Sequence, residues 1–439
     1  MLDRNFVWRG QHPKADVAVI GAGYVGLPLA MFLATQGKQI VVAEKNHDIA
    51  DKIRSGVSPI FEPGLNELLV AAIASDRLQV LESAAEAVVG VDFVFLCVGT
   101  PESKDGSADM SMLIDVIEEI GPHLAPGAVV VNKSTAPIGS IRTIERLLNR
   151  PDVTVVCNPE FLREGSAVED SFHPDRVVIG ADDPQSASRV AALFSSTGSP
   201  VVVTDTLTAE LIKYASNAFL ATKLSFMNSL ATLCEAVGAD VVDLGLGVGY
   251  DSRIGFDFMR PGPGWGGSCL PKDTSALVAT SENLGVDLEI VRAAISVNES
   301  HMNRIVNKIM TACGGANGRT VGVLGLTFKA NTHDRRNSPA IWITQQLSRA
   351  GVVVHAFDPS VTKDMTSDDL AHLTIFDDPY SALARTDVMV ILTEWQEFRW
   401  LDYSRIKEEM YGSAVVDARN SLDPVEIRGL GFSYVGVGR

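Results

Sequence analysis

Residues 16–26 read DVAVIGAGYVG, a short apolar strand signal from Asp16 to Ile20 that runs directly into glycines at 21, 23 and 26. A helical pattern follows through Leu27 to Thr35, and QIVVAE at 39–44 reads as the next strand. Strand, glycine turn, helix and strand make a βαβ unit. Gly21, Gly23 and Gly26 permit a tight turn and let a pyrophosphate approach the helix N-terminus, where free N–H groups and the helix dipole favour negative charge. Glu44 closes the second strand. A carboxylate there accepts hydrogen bonds from adenosine ribose hydroxyls and repels a ribose phosphate, so NAD is expected rather than NADP. The competing reading is a set of glycines that only packs a helix tightly onto a sheet.

Outward from this unit the alternation continues through VDFVFLCVGT at 91–100, a helical segment at 111–121, AVVVNKS at 128–134, a helix near 140–149, TVVCNPE at 154–160 and VVIG at 177–180. Such near-continuous apolar strands suit a parallel sheet covered on both faces. From Thr208 the texture changes to TAELIKYASNAFLATKLSFMNSLATLCEAVG, which has helical spacing and a stop at Gly238. The glycine- and proline-rich RPGPGWGGSCLPKD at 260–273 precedes another helical region reaching about Ala312, and GGANGRT at 314–320 is a linker candidate. TVGVLGLTFK, VVVHAFDP, DVMVILT and SAVVDARN then restore strand-like pieces between helical ones. The expected order is α/β, mostly helical, then α/β again. Its boundaries fall as a polar leader at 1–14, then 15–206, 207–312 and 313–439.

Composition bounds the function. The chain has 439 residues, 46% hydrophobic and 21% charged, with 37 basic against 54 acidic side chains for a formal net charge of -17. That length suggests about three folding units, and the acidity argues against a nucleic-acid polymer as the main partner. No apolar run approaches the roughly 18 residues that cross a membrane. Five scattered cysteines, without a C-x-x-C pair or a secretory signal pattern, lead to the expectation of a reducing cytoplasm. The eight histidines are dispersed without a zinc-ligand spacing, so no metal is expected.

Three groups of residues could carry chemistry. Lys213 and Asn217 lie four apart on a helical pattern and share a face, where a cation and an amide could flank developing oxyanion charge; a solvated lysine is the alternative. Glu160 and Glu164 in NPEFLREG follow a strand, as catalytic carboxylates or as a solvent-facing pair. Cys269 is surrounded by glycines, with Lys272 and Asp273 a few residues on, and becomes a nucleophile if its thiolate is stabilised; a structural role is the alternative. Cys97, Cys157, Cys234 and Cys313 read as small apolar groups.

With these motifs, the chain resembles the UDP-glucose/GDP-mannose dehydrogenase family of NAD-dependent sugar-nucleotide oxidoreductases. The resemblance covers roughly residues 15–425 through GAGYVGLPLA, SPIFEPGLNELL, CVGTP, NKSTAPIGS, NPEFLREGSAVED, ELIKYASNAFLATKLSFMN, GPGWGGSCLPKD and GLTFKANTHDRRNSP. It implies two Rossmann-like parallel-sheet domains joined by a central helical domain with a long helix, through which members form homodimers. It further implies oxidation of a sugar C6 alcohol to a carboxylate with two NAD, and within the family the blocks are most similar to the branch acting on UDP-glucose. Alternatives are the same oxidation of dTDP-glucose, GDP-mannose or UDP-N-acetylmannosamine, and a non-catalytic sugar-nucleotide sensor or scaffold. A one-step alcohol dehydrogenase would leave Cys269 and its loop without a role.

For individual residues the resemblance makes Cys269 the nucleophile that forms a thiohemiacetal and then a thioester. Lys213 and Asn217 then hold the C6 oxygen. Asp273 supports proton transfer through water with Thr135, Glu160 acts in thioester hydrolysis, and Glu164 supports the site. The cofactor is expected at Gly21, Gly23, Tyr24, Val25, Gly26 and Glu44, at Gly99, Thr100 and Pro101, at Ser134 and Thr135, and at Lys272 and Arg336. The sugar nucleotide is expected at Phe161, Leu162, Arg163 and Glu164, at Lys213, Asn217 and Arg253, at Gly266 and Cys269, and at Phe328 and Lys329, with Lys329 and Arg336 near its diphosphate. Ala330 and His333 depart from the family pattern, which has proline and an acidic residue there.

Overall fold

Strand β1 (Val17–Ile20) sends Val17 and Val19 to one face of a sheet and Ala18 and Ile20 to the other, all buried, because side chains alternate along an extended chain. The computed structural model describes residues 15–103, 106, 108–316 and 318–439; the leader at 1–14 lies outside the described residues. The chain divides after Lys213 into two compact units, the second of which runs from Tyr214 onward.

In the first unit β1 is joined by β2 (Ile40–Ala43), β3 (Leu78–Leu81), β4 (Phe93–Leu96), β5 (Val129–Asn132), β6 (Thr154–Cys157), β7 (Val177–Gly180) and β8 (Val201–Thr204) in the order β3-β2-β1-β4-β5-β6-β7-β8. Every pairing is parallel except β6 with β7, which meet antiparallel at Cys157 and Gly180. One face packs Val42, Phe95, Val131 and Val156 against Leu29, Phe32 and Leu33 of helix Gly26–Thr35; the other packs Val94, Leu96 and Val130 against Ile117, Ile141 and Ile144. Both faces being covered explains the uninterrupted apolar strands.

The helix Thr206–Val237 has 32 residues, about 48 Å at the usual rise. It stops where Gly238 takes a φ of 78°, and the N–H groups of Gly238 and Ala239 both reach the Cys234 carbonyl. Helices Val241–Gly249, Leu270–Asn283 and Glu289–Cys313 follow.

The second sheet contains β9 (Thr320–Leu324), β10 (Val353–Phe357), β11 (Thr374–Ile375), β12 (Val388–Ile391), β13 (Ala414–Asp417) and β14 (Ser433–Gly436), all parallel, in the order β11-β10-β9-β12-β13-β14. Counted from β9, this is the 3-2-1-4-5-6 order of a dinucleotide-binding sheet, which the first six strands of the first sheet also have. The protein is thus α/β, with two sheets connected by a long helical region. Met227, Ala231, Ile305 and Ile309 from the helices share one core with Val321, Val323 and Val390 from the second sheet.

Candidate active site

The first unit carries the glycine turn at the end of β1, beside β4, where the strand order reverses. Each glycine has its own reason. Gly21 has a φ of 98°, and a Cβ there would sit 2.7 Å from the Cys97 carbonyl oxygen. A Cβ on Gly26 would overlap the Gly21 carbonyl oxygen, so only glycine lets the helix start this close to the turn. A Cβ on Gly23 would meet nothing within 4 Å, which leaves open space for a ligand's approach. Helix Gly26–Thr35 has no side-chain cap and no acidic residue in its first turn. Glu44 lies against this turn, accepting from Ala22 N (3.2 Å) and Asn46 N (2.9 Å). Across the crest, Ser134 Oγ donates to the Leu96 and Val98 carbonyls (3.2 and 2.7 Å), and Thr100 Oγ1 donates to the Thr135 carbonyl (2.5 Å). The CVGTP and NKSTAP loops are thereby tied into one rim.

Beyond β6, Glu160 turns inward. Its Oε2 lies 2.8 Å from Lys133 Nζ, while Oε1 accepts from Phe161 N (2.6 Å) and Leu162 N (2.7 Å). The reading of Glu160 as part of a solvated pair does not survive this burial. Arg176 and Lys213 both face the Phe161 ring, at 3.7 and 5.5 Å from its centroid, and burial lowers the Arg176 pKa. The loop carrying Leu162, Arg163 and Glu164 is held by Glu62, which accepts from Gly165 N (2.5 Å) and Ala167 N (2.9 Å). Arg163 pairs with Asp170. Lys213 is buried rather than solvated. One turn earlier Glu210 accepts from Gly139 N, Ser140 Oγ and Ile141 N, capping a helix whose own N-cap is a glycine.

In the second unit the thiol Cys269 is exposed and occupies the N-cap of helix Leu270–Asn283. Burial pushes the Cys97 and Cys313 thiols up to about 12 and about 11, and raises Cys157 too. Asp273, one turn into the same helix, is 1% exposed and accepts from Lys272 Nζ (2.7 Å) and Asn217 Nδ2 (2.5 Å).

The glycine loop before Cys269 is rigidly seated. Trp265 N donates to Asn298 Oδ1 (2.9 Å) and Trp265 Nε1 to Ser225 Oγ (2.9 Å), while Asn228 and His301 hold Gly262. A Cβ on Gly266 would overlap the Asn337 carbonyl oxygen, and one on Gly267 would strike the Phe328 ring at 2.8 Å. Lys329 Nζ lies 5.6 Å from that ring's centroid. Arg336 pairs with buried Asp334 (2.6 Å), and Arg253, largely exposed, pairs with Asp251 (2.6 Å). Ala330 packs against the cluster that includes Leu324, Phe357 and Phe398, and His333 is exposed.

Thus the fold gathers Gly21, Gly23, Gly26 and Glu44 at one turn, Thr100, Ser134 and Thr135 at one rim, and Asn217, Lys272 and Asp273 around one carboxylate. Three residues escaped the sequence reading. Lys133 could have been suspected as a charge ending an apolar strand; Glu62 and Arg419 gave no such signal. Arg419 donates to the Leu392 carbonyl (2.9 Å) and the Phe328 carbonyl (2.8 Å) at the crest of the second sheet.

Comparison with known proteins covers most of the chain. Residues 15–197 match the NAD binding domain of the UDP-glucose/GDP-mannose dehydrogenase family, 207–300 its central domain and 322–424 its UDP binding domain. The chain is 43% identical to the UDP-glucose 6-dehydrogenase of Rhizobium meliloti over 434 residues, covering 96% of this chain and 99% of that one. It superposes with a TM-score of 0.87 on a UDP-glucose dehydrogenase from Pyrobaculum islandicum, at 37% identity and covering 99% and 100% of the two chains. A UDP-D-ManNAc dehydrogenase from Pyrococcus horikoshii gives 0.85 at 27% identity, covering 97% and 99%.

Proposed function

The chain belongs to the UDP-glucose/GDP-mannose dehydrogenase family, NAD-dependent oxidoreductases of sugar nucleotides, and from that premise we propose that it oxidises UDP-glucose at C6 to UDP-glucuronate. The observation that carries the four-electron reading is the exposed Cys269 thiol at a helix N-terminus, set on a seated glycine loop one turn before the Asp273 cluster. The choice of UDP-glucose rests on the higher identity to UDP-glucose dehydrogenases than to the UDP-D-ManNAc enzyme, since overall shape separates them little.

The open space at Gly23, the uncapped helix and Glu44 fit the pyrophosphate and adenosine ribose of NAD, which when bound supplies a hydride acceptor. In the proposed reaction Lys213 and Asn217 hold the C6 oxygen and offset its developing charge. The Cys269 thiolate adds to the C6 aldehyde carbon, and the thiohemiacetal becomes a thioester by losing a second hydride. Asp273, with Thr135, supports proton transfer through water, and Glu160 activates the water that releases the acid. Covalent capture retains a reactive aldehyde between the two oxidations. We place the protein in the cytoplasm, in keeping with five free thiols, and as a homodimer through its long helix.

Purified protein is given UDP-glucose, dTDP-glucose, GDP-mannose and UDP-N-acetylmannosamine, with product mass and NADH measured together. UDP-glucose should give its acid with two NADH per sugar; a stable aldehyde with one NADH sinks the four-electron reading. Preference for another member of the panel reassigns the substrate. Tight binding without NADH from any of them favours a sensor. Cys269→Ser should lose acid formation, and undiminished acid would reject covalent catalysis.

A further inference from the structure

Lys133 directly follows the buried strand β5 and is itself only 7% exposed. An ammonium at such a place is costly unless its donors are matched. Its Nζ donates to Asn158 Oδ1 at 3.2 Å and lies 2.8 Å from Glu160 Oε2. Asn158 is fixed in turn, since its Nδ2 donates to the Val178 carbonyl at 2.8 Å. The loops after β5 and β6 and the backbone of β7 are therefore linked through one lysine.

The consequence falls on Glu160. A carboxylate offers about four lone-pair positions. Oε1 accepts from two backbone N–H groups and Oε2 faces the ammonium, so these contacts occupy three positions and leave one on Oε2. A buried ion pair is weak evidence of stability, because apolar residues of similar volume serve that purpose as well or better. What this arrangement adds is direction: the carboxylate keeps a single defined side toward which a water proton can move.

We propose that Lys133 is the positioning residue of the acid-releasing step, fixing Glu160 so that its remaining acceptor position on Oε2 receives the proton of the hydrolytic water; this rests on the role given to Glu160 above. In that step the water oxygen bonds to the thioester carbon, its proton passes to Glu160, and the C–S bond breaks with the electron pair returning to Cys269. No oxidant or reductant is consumed. Lys133 acts through Glu160.

The test mixes enzyme rapidly with UDP-glucose and NAD, follows NADH, and weighs the intact protein after an acid quench. Lys133→Met should retain a burst of two NADH per site while steady-state turnover falls roughly tenfold or more, with the sugar acyl group trapped on Cys269. Lys133→Arg, which restores a buried cation, should recover much of the steady state and shed the acyl group. Equal slowing of burst and steady state without acyl enzyme would make the lysine merely structural and overturn the proposal. If Lys133→Met does not fold, Asn158→Ser loosens the ammonium while keeping both charges. It should also accumulate acyl enzyme, and its failure to do so overturns the proposal equally. A wild-type enzyme that forms no NADH overturns the reaction itself, which distinguishes that failure from failure of the lysine's role.

Discussion

At the scale of single residues, burial separates groups that the sequence makes look alike. Five cysteines are equivalent on paper, yet only Cys269 is exposed, and the thiols of Cys97, Cys157 and Cys313 are raised by desolvation. Two ion pairs differ in the same way. Lys133–Glu160 is nearly enclosed, whereas the Arg253 side chain is 86% exposed beside Asp251. Glu160→Ala strands a buried ammonium and should destabilise the first unit by about 3–5 kcal/mol, while Arg253→Ala should leave the urea midpoint unchanged. Equal midpoints for the two variants would refute the difference in environment. Cys269 was legible because flexible glycines crowd around it; Lys133 stood out only as a charge ending an apolar strand, because its partners follow in a different loop and meet it only after the strands pair.

At the scale of elements, three similar glycines do different work. Gly26→Ala should cost about 1–3 kcal/mol by overpacking the helix start against Gly21. Gly23→Ala meets open space, and Gly23 is not in the left-handed region, so its melting curve should match wild type. It should nevertheless weaken NAD binding about tenfold or more by calorimetry, which corresponds to roughly 1.4 kcal/mol. Unchanged NAD affinity would assign Gly23 no part in the cradle. The glycine loop of the second unit adds a pH dependence. Burial lowers the pKa of His301 from 6.5, a ring whose Nε2 donates to the Gly262 carbonyl at 2.8 Å with Arg304, Lys308 and Glu235 within electrostatic reach. The unfolded chain therefore binds the extra proton first as acidity rises. Stability present above pH 6.5 is lost as pH falls toward the folded value. Urea midpoints at pH 5.5 and 7.5 should differ less in His301→Gln than in wild type, and equal differences would exclude the histidine.

At the scale of the whole molecule, the long helix keeps Phe219, Phe226 and Leu233 exposed, at 66%, 57% and 55%, seven residues apart on one face. Apolar groups so aligned suit burial against a second copy. Phe226→Asp should convert a dimer to a monomer in sedimentation at the same concentration, and a wild-type monomer would refute the assignment. The charge of -17 and two phosphate-bearing ligands are compatible, because local N–H groups and cations can hold phosphate against an acidic average. By itself the sequence determined the two α/β regions, the long helix to Gly238, the glycine turn with Glu44 and the prominence of Cys269, since apolar periodicity and glycine placement are local properties of the chain. Only the tertiary structure decided that β7 meets β6 antiparallel, that the helical middle shares a core with the second sheet, and that Lys133 grips Glu160. Each of those depends on which distant segments exclude water from one another, and local periodicity carries no record of that.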